Sequence, residues 1–381
     1  RWTLLTVTVA IQLLCCLQRH ALAFHYLIER SFPISSRRGY PAFFAETEKK
    51  SSGTQTPTTN SKETRICFIT DYSVDSENSA SENDFNLTEI CTTLARTLDV
   101  PIYDNVQESK YSHSLLLIPY RFENIRSYAL GIQELCNTDS TKSRRQRLNK
   151  KKSKSNPFIV DFIPPNNSRL GKRFQGQSGI DLLIKAASPD KKIVYDLTAG
   201  FGQDSLIMVQ GGATRVVMVE RDPIVTALLA DALRRLILIA STDDIADPQT
   251  RQRARDLVEK LVLETTRDAV EVANSTVAEQ KFGRPDVCYI DPMFPSRKKT
   301  AAVKKNMQIL HGLLGSQEID DSLARQNEEE LFKAAWTLAR ERVVVKRPIT
   351  ADSLSTNLKQ QDIKPSYKIK GTTNRWDVYV K

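Results

Sequence analysis

The fold is decided by Lys192–Asp222, which has the sequence KIVYDLTAGFGQDSLIMVQGGATRVVMVERD. Two short apolar runs, Ile193–Tyr195 and Val216–Val219, are joined by a glycine turn and a segment of helical composition. Both runs are β-prone and too short for buried helices. The pattern therefore predicts the first strand–helix–strand unit of a nucleotide-binding domain.

The glycine turn predicts where a cofactor binds. Asp196 ends the first strand, and Gly200 and Gly202 provide bare backbone that a ligand can approach closely. Glu220 ends the second strand, twenty positions after Gly200. That spacing is about the one at which such folds place an acid on a ribose diol.

The start of the helix after the turn narrows the choice of cofactor. Phosphate-binding versions of this fingerprint have a third glycine there, but this sequence has Ser205, preceded by Asp204. A carboxylate at that point repels a pyrophosphate. A cofactor with a ribose and no diphosphate is expected, and S-adenosylmethionine fits, with Asp196 and the turn facing its amino-acid end. A nicotinamide cofactor and a glycine turn without a ligand are the alternatives.

The third predicted strand, Leu261–Leu263, is followed by a polar segment at its carboxyl end. Ligands bind outside the carboxyl ends of strands in an open parallel sheet. Thr265 and Thr266 are therefore placed to contact an adenosine, and a helix N-cap is an equally good explanation of both.

The fourth predicted strand, Asp286–Ile290, ends in Asp291-Pro292-Met293-Phe294-Pro295, a stiff and projecting turn. Methyl transfer to an exocyclic amine needs an acceptor for the amine hydrogens, so that the nitrogen lone pair faces the methyl group. Asp291 is such an acceptor, and Phe294 can stack on a base. Both are predicted to be catalytic. A purely structural Asp-Pro turn is the alternative.

The order of the predicted elements gives five parallel strands and a closing antiparallel pair. This is an α/β fold with the doubly wound, Rossmann-like sheet of class I methyltransferases. A small N-terminal α/β lobe is predicted from strands at Arg65–Ile69 and Ser114–Pro119 and a helix at Leu87–Leu98. The expected boundaries are 1–23 for a signal peptide-like segment, 24–62 for a transit-like segment and linker, 63–137 for the lobe, 138–156 for a basic linker and 157–381 for the methyltransferase domain.

The charge distribution favours a polyanionic partner. The net charge is +10, and Lys142–Lys154 holds eight basic and no acidic residues, so removing that run lowers the net charge to +2. A loop expected at Arg169–Gly176 combines cations with Phe174, which suits an RNA backbone and a stacked base. A disordered linker and a flexible surface loop are the structural alternatives. The predicted RNA-binding residues are Lys172, Arg173, Arg297, Lys298, Lys299, Lys304 and Lys305.

The N-terminal segment predicts a cellular location. Thr3–Leu17 is apolar and uncharged, and Ala21-Leu22-Ala23 has the small-x-small form of a signal-peptidase site. Phe24–Lys50 then carries arginines among serines and aromatics. Together they resemble the bipartite plastid leaders of algae with secondary plastids. A plastid location without stable membrane association after cleavage is expected, with the secretory pathway or a mitochondrion as the alternatives.

The six cysteines predict neither a metal site nor a disulfide framework. None belongs to a CxxC pair or lies near a histidine at metal-ligand spacing. The four that follow the leader are scattered through segments typical of an intracellular α/β protein.

Four segments, DLTAGFGQD, VERDPIVTALLADAL, YIDPMFPSRKKTAAVKKNMQIL and RVVVKRP, together resemble the RsmJ family of bacterial methyltransferases. That family methylates a guanine exocyclic amine, N2, in small-subunit ribosomal RNA. The resemblance covers roughly Arg65 to the C-terminus and is dense from Phe158 onward. It implies S-adenosylmethionine as the cofactor and small-subunit ribosomal RNA or a 30S-type subunit as the partner. It also implies donor contacts by Gln203, Asp204, Glu220, Arg221, Thr265, Thr266 and Asp291.

The predicted function is therefore guanine-N2 methylation of small-subunit ribosomal RNA. A non-catalytic RNA-binding assembly factor on a methyltransferase scaffold is the first alternative, although the intact acids and the intact DPMF turn disfavour it. A nicotinamide-dependent oxidoreductase is the second, and Ser205 disfavours it.

Overall fold

The structure is a computed structural model that describes residues 66–69, 87–103, 113–135, 156–177, 179, 181–243, 245, 247–264, 268–292, 309, 321–354 and 363–381. Several predicted features lie outside these residues. They are the signal-like and transit-like segments, the basic run, Thr265 and Thr266, Phe294, and the five cations that follow Phe294.

The described strands and helices alternate through the second half of the chain, as expected for a doubly wound fold. The strands are β1 (Ile66–Ile69), β2 (Ile102–Tyr103), β3 (His113–Phe122), β4 (Ile125–Glu134), β5 (Ile193–Asp196), β6 (Arg215–Met218), β7 (Leu261–Leu263), β8 (Val287–Ile290), β9 (Arg342–Pro348), β10 (Tyr367–Lys370) and β11 (Asn374–Val380). The helices are α1 (Leu87–Leu98), α2 (Arg169–Phe174), α3 (Leu182–Ala187), α4 (Gln203–Gln210), α5 (Pro223–Ser241), α6 (Pro248–Lys260), α7 (Ala269–Asn274), α8 (Thr276–Phe282) and α9 (Asp321–Leu338).

The larger sheet has the order β10-β11-β9-β8-β5-β6-β7. Strands β5 to β9 are parallel to one another, and β11 is antiparallel to both of its neighbours. The chain adds β6 and β7 on one side of β5 and then crosses over to add β8 and β9 on the other side, so the strand order switches at β5. Doubly wound sheets bind ligands at such a switch point. The predicted five parallel strands and closing hairpin are confirmed.

Both faces of the larger sheet are buried at its central strands, which explains why β5, β6 and β8 are apolar runs without alternation. In β6, Val216 and Met218 pack into one hydrophobic cluster. Val217, between them, points to the opposite face and packs into a second cluster.

The smaller sheet has the order β2-β1-β3-β4, with β3 and β4 forming a long antiparallel hairpin. The predictions of β1, α1 and the centre of β3 are confirmed. Strand β4 was not predicted from the sequence. The apolar sequence of Phe158–Phe162 predicts another strand, but this prediction is wrong, because Phe158 makes only an isolated bridge to Ile132.

The smaller sheet packs on α5 through a buried charge cluster. The Asp231 carboxylate is fully buried and accepts from the backbone N–H of Leu130 in β4 at 3.0 Å. It also accepts from Arg234 Nη2 and Arg235 Nε, both at 2.9 Å. The Arg234 guanidinium then donates to the Tyr128 carbonyl and lies 4.0 Å from the centroid of the Tyr128 ring. The Asp231 carboxylate therefore compensates the buried positive charges of two arginines where the smaller sheet packs on α5.

The segment predicted as a cationic loop is the short helix α2. Ser168 caps it by accepting from Gly171 N at 2.9 Å, and Phe174 is buried. An added Cβ at Gly171 would lie 2.1 Å from the Pro165 carbonyl oxygen, so only glycine fits beneath that turn. The base-stacking role expected of Phe174 is wrong, because Arg253 of α6 already covers its ring at 5.6 Å.

Within the described residues, no helix combines the length and apolar character needed to cross a membrane. No cluster of three or more potential metal-ligating side chains occurs in the same part of the chain.

Candidate active site

The site lies at the carboxyl ends of β5, β6, β8 and β9. Strand β5 ends at Asp196, whose carboxylate is buried and accepts from Ser205 Oγ at 2.5 Å. Ser205 is itself fully buried in the first turn of α4. This hydrogen bond explains why a serine stands where phosphate-binding folds have a glycine: it fastens α4 to the end of β5.

The turn between β5 and α4 depends on glycine at two positions. Gly200 has φ = 53° and Gly202 has φ = 68°, a left-handed conformation that side chains disfavour. An added Cβ at Gly202 would lie 2.9 Å from the Phe162 ring and 3.1 Å from Leu229. The turn is therefore fixed by packing from below, while Gly200 stays partly open at the edge of the sheet.

Glu220 closes the site on the β6 side. Its Oε2 accepts from Gly200 N and its Oε1 accepts from Asp222 N, both at 2.8 Å. Because each carboxylate oxygen has two lone pairs, each keeps one acceptor position for a ribose hydroxyl. Burial raises the pKa of Glu220, and the two backbone N–H donors oppose that rise. Glu220 thus holds the glycine turn and has the acceptors that a diol requires.

Asp204 is the hub of a network of charges. Its Oδ1 accepts from Arg173 Nη1 at 2.9 Å, and its Oδ2 accepts from Tyr289 Oη at 2.7 Å and from Lys346 Nζ at 2.9 Å. Burial alone would raise the pKa of Asp204. The cations Lys346 and Arg173 and the Tyr289 hydroxyl outweigh burial and hold that pKa well below its usual range.

Asp291 follows β8 and lies beside that hub. Its backbone N–H donates to Thr198 Oγ1 at 2.6 Å, and its Oδ2 accepts from Lys346 Nζ at 2.7 Å. About a third of the Asp291 side-chain surface is exposed, 34% against 15% for Asp204. Asp291 is therefore the more accessible of the two carboxylates that share the lysine.

Three carboxylates near one edge influence each other's protonation. Burial raises the pKa of Asp196 to about 7, with Asp204 and Asp291 adding to the rise and Ser205 opposing it. Burial also raises the pKa of Asp291, while Lys346 lowers it and Asp204 raises it. The sheet edge carries an excess of buried negative charge, which favours a positively charged ligand.

The structure brings together most of the predicted donor-binding residues that it describes. Gln203 and Arg221 lie exposed next to the turn and to Glu220 respectively. Of the two predicted RNA contacts in α2, Lys172 is exposed. Arg173 is instead committed to internal carboxylates, Asp181 at 2.5 Å and Asp204, so its guanidinium does not face a nucleic acid.

Sequence reasoning missed three residues of the site: Thr198, Tyr289 and Lys346. Thr198 stands two positions after Asp196 in the motif, and its hydroxyl accepts from Asp291 N across the sheet. Tyr289 and Lys346 belong to β8 and β9, and both reach Asp204 from there. The only signal for Lys346 was a cation at a predicted strand end.

The residues present suit S-adenosylmethionine. The acceptors of Glu220 suit its ribose hydroxyls, the open glycine turn suits its amino-acid part, and the buried carboxylates complement its sulfonium and ammonium charges. A dinucleotide is disfavoured because Asp204, held as a carboxylate by its cations, occupies the N-terminus of α4. Fold and site together define an S-adenosylmethionine-dependent methyltransferase.

Comparison with known proteins identifies the family. A family model described as "Putative SAM-dependent methyltransferase" matches residues 131–381. Ribosomal RNA small subunit methyltransferase J of Thioalkalivibrio sulfidiphilus is 38% identical over 231 residues, covering 59% of this chain and 76% of the relative. The protein of the same name from Dechloromonas aromatica is 35% identical over 228 residues, covering 59% and 79%. The chain belongs to the ribosomal RNA small subunit methyltransferase J family, and S-adenosylmethionine is its cofactor.

A solved structure of a SAM-dependent methyltransferase from Neisseria gonorrhoeae is also similar. It is 24% identical, with a TM-score of 0.47, and the match covers 83% of this chain and 95% of that one.

Proposed function

We propose that this protein transfers a methyl group from S-adenosylmethionine to the exocyclic N2 amine of a guanine in small-subunit ribosomal RNA. The names of its relatives support the RNA class. The observation that carries the choice of an amine is Asp291, a partly exposed carboxylate at the end of β8, next to the donor-binding turn.

The donor is proposed to bind residues at the carboxyl ends of β5 and β6 and in the glycine turn between β5 and α4. Glu220 takes the ribose hydroxyls, while the open backbone of Gly200 and the Asp196 end of β5 face the amino-acid part. S-adenosylmethionine, when bound, supplies an electrophilic methyl group on a cationic sulfur. The chain's own residues contribute alignment and negative charge.

The target amine is oriented by Asp291. A guanine N2 amine is planar, with its lone pair delocalised into the ring. A carboxylate that accepts from an amine hydrogen favours the pyramidal geometry in which the lone pair faces the methyl group. The same carboxylate stabilises the positive charge that develops on nitrogen as the bond from the methyl carbon to nitrogen forms and the bond from that carbon to sulfur breaks. A neutral thioether leaves, and the methylated amine releases its extra proton to water. Phe294 is proposed to stack on the flipped base.

RNA is proposed to approach over α2. Lys172 and Arg169 are exposed and three positions apart, so they lie on the same face of the helix. The neighbouring Arg173 points inward and holds Asp204, which places this face close to the site. The five cations after Phe294 are also proposed to contact the RNA backbone. Such contacts position RNA without selecting a sequence.

Methylation of isolated RNAs tests the proposed substrate. The purified chain is incubated with methyl-labelled S-adenosylmethionine and with 30S-type subunits, naked small-subunit RNA or large-subunit RNA. Label in small-subunit RNA or its subunit, and not in large-subunit RNA, is the expected result. RNA that is bound but stays unlabelled would favour an assembly factor, and label in large-subunit RNA would contradict the proposed substrate.

The proposed location is a plastid, on the basis of the N-terminal sequence. A fluorescent protein fused behind residues 1–60 is expected to enter that organelle in an alga with secondary plastids. Its appearance in the culture medium or in mitochondria would overturn the proposal. The location does not bear on the chemistry.

A further inference from the structure

Lys346 lies in the site but has no role in the methyl transfer proposed above. Its ammonium group lies 2.7 Å from Asp291 Oδ2 and 2.9 Å from Asp204 Oδ2, so one cation joins two carboxylates. The side chain is four-fifths buried. A lysine is seldom buried to this degree without paired charges, and here both partners are acids of the site.

The lysine is held in place by its strand. Lys346 pairs directly with Trp376 of β11 in the antiparallel register, so both side chains point to the same face of the sheet. Trp376 is buried there. The ammonium group therefore approaches Asp291 from a rigid strand and a packed neighbour, which is the support that a precisely oriented carboxylate requires.

The two oxygens of Asp291 are not equivalent. Oδ2 accepts from Lys346, whereas no donor among the described residues contacts Oδ1. With Oδ2 anchored and the backbone of Asp291 fixed by Thr198, the direction of Oδ1 is set. This leaves one oriented acceptor on an accessible carboxylate.

We propose that Lys346 is a positioning residue for methyl transfer: its ammonium group anchors Asp291 Oδ2 and keeps the carboxylate ionised, so that Oδ1 accepts from the target amine. The proposal rests on the proposed function, because it assigns the target amine to Oδ1. Lys346 touches neither the donor nor the base in this assignment, and it acts only through Asp291.

The charges around Asp291 determine the sign of the pH effect. Asp196 on β5, Asp204 on α4 and the Tyr289 hydroxyl on β8 face the same space as Lys346 on β9. Arg173 on α2 acts through Asp204. Burial and Asp204 raise the pKa of Asp291, and Lys346 opposes both. Removing the ammonium group therefore raises that pKa, so the ionised form is lost at a higher pH.

Lys346→Met tests the charge while keeping a long, unbranched side chain. The acid limb of the kcat profile is expected to move upward by about 1–3 pH units, the usual effect of one opposite charge at this distance. Activity lost at pH 6 should then be largely regained at pH 9. Lys346→Arg keeps the charge and should keep the acid limb of the wild type, even if kcat falls. Lys368→Met, an exposed lysine on β10, is the matched control.

A titration separates this proposal from the proposed function. The carboxyl carbon of Asp291 is followed by NMR in protein with labelled aspartate, with Asp291→Asn identifying its signal. The expected result is a higher pKa in Lys346→Met than in the wild type, whether or not RNA is methylated. An unchanged Asp291 pKa, a uniform loss of kcat at every pH, or an alkaline shift in Lys346→Arg as well would overturn the proposal. If Lys346→Met does not fold, the Arg variant and Lys346→Gln decide by the same criteria.

Discussion

At the scale of single residues, the site is built from acids that each have two tasks. Glu220 fastens the glycine turn and is proposed to accept from the ribose hydroxyls. Asp196 fastens α4 through Ser205 and is proposed to face the amino-acid part of the donor. The sequence predicted these acids because the motif places them at known distances from a glycine turn. It could not predict the role of Lys346, because its position at a strand end does not reveal that its partners are Asp204 and Asp291, which lie 142 and 55 positions away.

Glu220→Ala is expected to weaken S-adenosylmethionine binding by about 1.5–3 kcal/mol, the range for hydrogen bonds to a charged group. Both the ribose and the backbone N–H of Gly200 lose an acceptor. Calorimetric titration measures the effect. Glu259→Ala, at an exposed position on α6, is the control and should bind normally. An unchanged dissociation constant for Glu220→Ala would remove Glu220 from the donor site.

At the scale of elements, strong local signals predicted best. The pair Asp222-Pro223 predicts a helix start, since an N-cap residue is followed by Pro at the first helical position. Helix α5 begins there, and Asp222 Oδ1 accepts from Ile224 N and Val225 N at 2.9 Å. Strand β4 was missed because its polar and glycine positions give no clear apolar alternation. Helix α2 was missed because a helix of six residues containing Gly171 has a loop-like composition. Its shape depends instead on tertiary contact with Pro165.

Gly202→Ala is expected to destabilise the fold by roughly 1–3 kcal/mol, through backbone strain and overpacking against Phe162 and Leu229. Gly179→Ala is the matched control, because Gly179 has a similar φ of 77° but open space around it. Denaturant unfolding of both variants separates the two causes. A cost at Gly202 no larger than that at Gly179 would show that the packing beneath the turn is not limiting.

At the scale of the whole molecule, the smaller sheet packs on α5 of the larger unit, and a cluster of charged side chains lies inside this otherwise apolar contact. The Asp231 carboxylate compensates Arg234 and Arg235 and accepts from the backbone of β4. Composition could not predict this cluster, because the two arginines of α5 resemble ordinary surface charges in the sequence. Composition also could not predict that the smaller lobe packs on α5. This helix begins at Asp222, beside the cofactor site.

Asp231→Ala is expected to lower the free energy of unfolding by about 3–5 kcal/mol, because it leaves buried arginines uncompensated. Asp256→Ala, at an exposed position on α6, should change that free energy by no more than about 0.5 kcal/mol. Equal stability of the two variants would contradict the assignment of Asp231 as the charge that compensates the two arginines.

Single-turnover methylation of 30S-type subunits by the wild type and by Asp291→Asn, with the product nucleoside identified by mass spectrometry, tests the central claim most directly. The wild type is expected to form N2-methylguanosine. Asp291→Asn keeps the shape but loses the charge beside the amine, so its rate should fall by about 100–1000-fold, as when one preorganised electrostatic contact is removed. A different methylated nucleoside, or a wild-type rate in Asp291→Asn, would contradict the assignment of Asp291 to a guanine amine.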